Sequence, residues 1–90
     1  MGRETILFKN KEQKSRADVS AFLHQLAERV SEGRVTLRRD QEELTLDLAE
    51  NLVLEIQAED EEKGPKGIQH SLEVEIKWFD DGKNGPLTLG

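Results

Sequence analysis

The spacing of apolar side chains changes once along the chain, at Gly33. From Ser15 to Glu32 they recur every three or four residues, which is the period of an amphipathic helix. This stripe consists of Val19, Phe22, Leu23, Leu26, Ala27 and Val30. Beyond Gly33, apolar and polar side chains alternate, in runs at residues 35–37, 44–48, 52–58 and 72–78. Such alternation predicts antiparallel strands that have one face on a core and one in water.

Local signals mark both ends of the predicted helix. Ser15, with Asp18 three residues later, resembles a capping box at the start. Gly33 is placed to end the helix in a left-handed turn. Ahead of the helix, the apolar and β-branched residues 3–9 predict a first strand. The predicted fold class is therefore α+β, with one helix packed on one face of an antiparallel-rich sheet, in the order β-α-β-β-β-β.

The register of the predicted strands follows from two short loops. A two-residue loop at Asp40-Gln41 places Leu37 opposite Leu44 and sets basic side chains opposite acidic ones. The next loop, at residues 49–51, then pairs the second and third strands. A slip of one residue would turn every apolar side chain to the wrong face. We therefore expect the even-numbered side chains of residues 44–78 to point into one core beneath the helix.

The composition limits the classes of function. Ninety residues, 34% hydrophobic and 36% charged, suit one small domain, which we place at residues 1–79, with a turn-rich tail at 80–90. The lack of cysteine excludes disulfides, thiolate zinc sites and cysteine nucleophiles. Because the N-terminal segment has no apolar signal core and no run is long enough to cross a bilayer, we expect a cytoplasmic protein without membrane contact.

The net charge of −6 is unevenly distributed along the chain. Residues 1–39 carry nine basic and five acidic side chains, a net of +4, whereas residues 40–90 carry four basic and fourteen acidic ones, a net of −10. The acids at 59–62 are expected in a solvated loop over residues 59–67. Nucleic-acid binding is not favoured, because Arg38 and Arg39 face glutamates and no aromatic side chains lie between basic ones on an exposed sheet.

Candidate catalytic and metal-binding groups do not converge. His24 lies off the centre of the helix stripe, and His70 shares the phase of the core side chains, so neither joins the three or four ligands that a metal needs. Residues 80–85 resemble a calcium loop, but Gly82 stands at its third position, where a ligand is needed. The paired glutamates lie on the predicted water face, whereas general acid–base catalysis needs a desolvated carboxyl. We therefore expect no enzymatic activity, no cofactor and no metal.

One segment carries a family resemblance. Residues 72–78 read LEVEIKW, an amphipathic strand that ends in tryptophan. The front of the chain has an ETILFK segment, then KSRADVSAFLHQLAERV, a glycine and a VTL strand. Over residues 3–79 the chain resembles the amphi-Trp domain family. The resemblance implies a small stand-alone bacterial or archaeal domain of unassigned function, and it supplies no catalytic or binding residues.

Two hypotheses about function remain. The first is a non-catalytic protein-interaction or accessory module that presents its acidic sheet face or a sheet edge to a protein partner, and that forms a homodimer through the long last strand. Its candidate interaction surface consists of Val53, Glu55, Glu73, Glu75, Trp78 and Phe79. The alternative is a binder of a small ligand or ion, in a cavity between helix and sheet near His70 and Trp78.

Overall fold

A computed structural model describes residues 2–80 of the chain, which divides into two compact units, Met1–Leu48 and Ala49–Gly90. The first unit contains helix α1 (Arg16–Glu32) and strands β1 (Arg34–Arg39) and β2 (Glu42–Asp47). The second contains β3 (Val53–Glu62), a 3₁₀ turn (Gly64–Lys66) and β4 (Ile68–Lys77). The α+β class is confirmed. The predicted tail at 80–90 and the calcium-like loop at 80–85 lie outside the described residues, except for residue 80.

Helix α1 has the ends that the sequence predicts. The Ser15 hydroxyl accepts a hydrogen bond from the backbone N–H of Asp18 at 3.0 Å, which satisfies a donor of the first turn. Gly33 has a φ of 86°, and its N–H donates to the carbonyl of Val30 at 3.0 Å. In the part of the chain that the structure describes, no helix is both long and apolar enough to span a bilayer.

The predicted register of the first hairpin is confirmed. Strands β1 and β2 are antiparallel, with Leu37 opposite Leu44 and Val35 opposite Leu46. These four side chains share one face, and α1 contacts β1. Val35 keeps only 7% of its surface exposed, so it is the best-buried apolar side chain among the described residues. The core of the first unit is therefore centred on β1.

The predicted first strand is wrong. Residues 2–15 form no regular secondary structure. The Arg39 guanidinium, rather than a neighbouring strand, holds this segment: it donates to the carbonyl of Lys9 at 2.9 Å and lies 5.8 Å from the centroid of the Phe8 ring. A strand depends on a ladder of backbone hydrogen bonds, and a single side chain does not replace one. The element order is therefore α-β-β-β-β instead of β-α-β-β-β-β.

The predicted pairing across residues 49–51 is also wrong. Strands β1 and β2 form one two-stranded sheet, and β3 and β4 form another. The backbone N–H of Leu48, the residue after β2, donates to the carbonyl of Gly33 at 2.9 Å. This hydrogen bond ties the end of β2 to Gly33, the residue between α1 and β1.

Strand β3 is longer than the sequence predicts. The acids at residues 59–62, expected in a loop, form its last four positions, because β4 supplies a partner for each of them from Ile68 to Ser71. The connection shrinks to Lys63–Gly67, in which Gly64 and Gly67 have positive φ values. The acidic run therefore lies along a strand and divides between its two faces.

The alternation in β3 and β4 is confirmed, but the expected burial is not. Even-numbered side chains share one face, with Leu54 opposite Ile76 and Ala58 opposite Leu72. Leu54 remains 64% exposed and Leu72 71% exposed. A two-stranded sheet has two faces and no layer of its own to cover either, so the sequence pattern sorts the side chains without burying them.

Candidate protein interaction surface

The odd-numbered side chains of β3 and β4 form one face of the second hairpin, here called the acidic face. Directly opposite residues of an antiparallel pair point to the same side of the sheet, so the register defines this face without further assumptions. Its cross-strand pairs are Val53–Lys77, Glu55–Glu75, Gln57–Glu73, Glu59–Ser71 and Glu61–Gln69. Five carboxylates and one ammonium group therefore share this exposed face.

Two glutamates of the acidic face stand directly opposite each other. Glu55 and Glu75 form a cross-strand pair, an arrangement that destabilises a sheet. Lys77 partly compensates, because its ammonium group donates to a carboxylate oxygen of Glu55 at 2.7 Å. Among the described residues, Glu73 and Glu75 have no ion-pair partner within 4.0 Å. The middle of the face therefore keeps uncompensated negative charge.

The Glu55–Lys77 pair shifts the ionisation of both groups. The hydrogen bond from Lys77, reinforced by its positive charge, lowers the pKa of Glu55 below the usual 4.5. The same hydrogen bond, together with the charges of Glu55 and Glu75, raises the pKa of Lys77 above the usual 10.5. Both directions mean that folding favours the charged forms, so both groups are ionised near neutral pH.

This ion pair predicts a pH effect on the hairpin. Because the pKa of Glu55 is lower in the folded chain than in the unfolded one, its contribution to stability is present above the unfolded value and is lost as the pH falls through the folded value. In Lys77→Met the pKa of Glu55 should return towards 4.5, which an NMR titration of its side-chain carboxyl carbon measures. Lys66→Met, in the turn, is the control and should leave the titration unchanged. An unaltered Glu55 midpoint in Lys77→Met would contradict the assignment.

An apolar hollow lies at the open end of the same hairpin, where β3 begins and β4 ends. It has a volume of about 540 Å³ and is lined by Val53, Ile76, Lys77, Trp78 and Phe79. The Trp78 side chain is half-buried, whereas Phe79 is 91% exposed. This group of residues is here called the base hollow. It adjoins the Glu55–Glu75 pair, so apolar and acidic surface meet at one end of the hairpin.

The structure brings the sequence-predicted interaction residues together. Glu55, Glu73 and Glu75 lie on the acidic face, and Val53, Trp78 and Phe79 line the base hollow next to it. Sequence reasoning missed the role of Lys77, which joins both groups. The signal that finds it is the register: once the turn is known to occupy residues 63–67, Lys77 falls opposite Val53 and diagonal to Glu55.

His70 and Trp78, the two residues near which the alternative hypothesis places a ligand, do not lie together. The two residues lie eight positions apart, and in an extended strand this separates them by about 26 Å. The imidazole of His70 lies on the same face of the hairpin as Leu72 and contacts the carboxylate of Asp60, its cross-strand partner, at 2.6 Å. Its side chain is 76% exposed. We therefore assign His70 to a surface pair near the hairpin turn.

A second hollow lies wholly within the first unit, between residues 8–14, the first turns of α1, and β1. Its volume is about 740 Å³. Its walls combine the apolar Phe8 and Phe22 with the charged Lys14, Asp18 and Arg38. This mixture of ring, cation and carboxylate singles out no ligand chemistry. Within residues 2–80, no group of three or more potential metal-ligating side chains converges.

These features define a class: a small α+β chain in which strand β4 alternates apolar and polar side chains over residues 72–77 and is followed directly by Trp78. The sequence model of the Amphi-Trp domain matches residues 1–89. The chain therefore belongs to the Amphi-Trp domain family, and the match covers both units. It matches no curated protein and no solved structure.

Proposed function

We propose that this protein is a non-catalytic protein-interaction module of the cytoplasm that uses the acidic face and the base hollow together. The partner presents a basic patch beside an apolar side chain. Lysine or arginine side chains of the partner pair with Glu73 and Glu75, and the apolar side chain contacts Phe79. The proposal involves no cofactor, metal or nucleic acid. The observation that carries it is the uncompensated acidic surface that directly adjoins exposed apolar surface.

The like-charged Glu55–Glu75 pair supports this proposal. Opposed like charges on neighbouring strands cost stability, and a fold selected only for stability would replace one of them. A basic partner lowers that cost, because its cation pairs with Glu75 while Lys77 stays on Glu55. Stability given up at one surface position is common where that position binds something.

The base hollow supplies aromatic contact area, which the acidic face lacks. Pairs of exposed charges contribute mainly to association rate and partner choice, whereas aromatic side chains dominate the affinity of many interfaces. Phe79 is nearly fully exposed and Trp78 is partly so, which leaves ring surface for a partner. The combination gives a small anchored interface with an acidic border.

Charge reversal tests the acidic part of the surface. Affinity capture with crosslinking from the native cell, followed by quantitative mass spectrometry, should recover partners with the unaltered chain and lose them with Glu73→Lys/Glu75→Lys. Each reversal replaces an attraction by a repulsion, so we expect at least a tenfold loss of captured partner, of the size that about 1.4 kcal/mol produces. Glu4→Lys/Glu28→Lys is the matched control, since it makes the same charge change at exposed positions outside the hairpin.

Salt dependence and the aromatic anchor complete this test. Binding through the acidic face should weaken as salt rises, because salt screens exposed charges beyond about 10 Å at 0.1 M. Phe79→Ala should also reduce capture while leaving the melting temperature unchanged, since its side chain is 91% exposed. If Glu73→Lys/Glu75→Lys and Phe79→Ala both capture the same partners as the control variant, in the same amounts, the proposed surface is wrong.

A further inference from the structure

The even-numbered side chains of β3 and β4 form a second exposed surface, on the other side of the same hairpin. The hairpin apolar face consists of Leu54, Ile56, Ala58, Leu72, Val74 and Ile76. They form three cross-strand layers with no charged side chain among them. Leu54, Ile56, Leu72 and Val74 each keep more than half of their surface exposed.

A hairpin of this kind needs a covering layer. An isolated two-stranded sheet is at best marginally stable in water, and independent stability requires further strands or a layer packed on its apolar face. Among residues 49–80, the only other element is the 3₁₀ turn at Gly64–Lys66, which lies in the connection between the strands. The described part of the second unit therefore contains no layer that covers the hairpin apolar face.

We propose that a second copy of this chain covers the hairpin apolar face with its own, in a two-fold symmetric dimer. The two faces stack about 10 Å apart, as sheets do in a sandwich. The symmetry makes the contact self-complementary, so each apolar layer of one copy meets an apolar layer of the other. The acidic faces of both copies point outward and remain free.

Charge decides the relative direction of the two hairpins. The acids at residues 59–62 lie at the turn end of each hairpin, whereas residues 53–58 carry one acid. Stacking with the turn ends opposed keeps the two acidic runs at opposite ends of the dimer. A two-fold axis at the middle layer then places Ile56 of one copy against Ile56 of the other, and Leu54 against Ala58.

The available area fits a modest dimer. The hairpin apolar face offers on the order of 600 Å² per copy, compared with about 800 Å² in each half of a standard protein–protein interface. This places the proposed contact at the small end of specific interfaces. We therefore expect a reversible dimer that dissociates in the micromolar range, since interfaces near this size span micromolar to tighter affinities.

Sedimentation equilibrium over about 1 to 500 µM tests the dimer, a range set to bracket a micromolar dissociation constant. The unaltered chain should change from monomer to dimer across it. Ile56→Thr/Val74→Thr keeps β-branched residues in both strands but makes the middle layer polar, and should weaken the dimer at least tenfold. The matched control is Gln57→Thr/Ser71→Thr, which alters the same strands on the acidic face and should dimerise normally. Equal dimerisation of both variants overturns the proposal.

A crosslink provides a second test that does not depend on the stability of the threonine variant. The chain has no cysteine, so Ile56→Cys introduces a unique thiol beside the two-fold axis. A bismaleimide crosslinker that spans about 10 Å should join two copies of Ile56→Cys much faster than two copies of Gln57→Cys, whose side chain points outward. Equal rates overturn the proposal. The proposal is also overturned if sedimentation shows only monomer at every concentration. It is overturned as well if the introduced thiol of an Ile56→Cys monomer reacts slowly with a soluble thiol reagent, because another part of the chain then covers the face.

Salt separates this dimer from the partner binding proposed above. Two copies that each carry a net charge of −6 repel each other, so added salt should strengthen the dimer. Salt should weaken the binding of a basic partner to the acidic face. Loss of the dimer with partner capture intact would reject only the inference made here, and the reverse result would reject only the proposed function.

Discussion

Val35→Asp should unfold the first unit. Val35 is 7% exposed, and it lies on the strand that α1 contacts, directly opposite Leu46. The substitution removes two methyl groups from the core and puts in their place a carboxylate with no cationic side chain across the strand. Burying an unpaired charge costs more than a marginally stable small domain retains, so we expect a loss of about 4 kcal/mol or more. Circular dichroism should show the helix signal reduced at 25 °C.

Two controls separate charge from loss of packing. Val35→Ala leaves a small cavity without a charge and should cost about 2 kcal/mol, measured by urea unfolding. Val19→Asp makes the same chemical change at a valine of α1 that is 45% exposed. Its carboxylate stays in water, so the chain should remain folded. A Val35→Asp chain that melts like Val19→Asp would show that β1 is not the centre of the core.

The parts of the fold that short-range signals specify were predictable from the sequence. The Ser15 cap, the three- and four-residue spacing and Gly33 fix α1 within one residue at its start. A two-residue loop fixes the pairing of β1 with β2, because few turns of that length join antiparallel strands. Each of these inferences depends on atoms within a few residues of one another along the chain.

The parts that depend on distant partners were not predictable. Residues 3–9 have strand-like composition, but no strand within residues 2–80 pairs with them, and Arg39 binds the carbonyl group of Lys9 instead. The short loop at residues 49–51 favours pairing of β2 with β3, but the two strands belong to different sheets. Alternation predicts which side chains share a face of β3 and β4, but not what covers that face. Composition and period do not contain this information.

The candidate interaction surface was also only partly predictable from the sequence. Alternation alone predicts that Glu55, Glu73 and Glu75 share one face, and the break in phase at Val53 and Phe79 indicates apolar surface beside them. The direct opposition of Glu55 and Glu75 requires the register, which depends on the length of the turn. Because the acidic run at residues 59–62 suggests a longer loop than the one observed, the sequence assigns no register to β3 and β4 and does not predict the ion pair.

Gly33 connects three elements of the first unit through its backbone. Its N–H caps α1, its carbonyl accepts from Leu48 at the end of β2, and β1 begins at the next residue. All of this requires a φ of 86°, which lies in the left-handed region that residues with a Cβ avoid. An added Cβ meets no atom within 4 Å, so the cost of substitution is conformational and not a clash with neighbouring groups.

Gly33→Val should therefore destabilise the first unit by about 2 kcal/mol, because a β-branched residue is least tolerant of positive φ. Gly33→Asn should cost less than about 1 kcal/mol, since asparagine enters this region more readily. Urea unfolding measures both. Hydrogen exchange gives a local readout: in Gly33→Val the Leu48 amide should lose protection, because its acceptor is the Gly33 carbonyl. Equal destabilisation by valine and asparagine, with Leu48 still protected, would show that the left-handed turn is not what joins α1 to the hairpin.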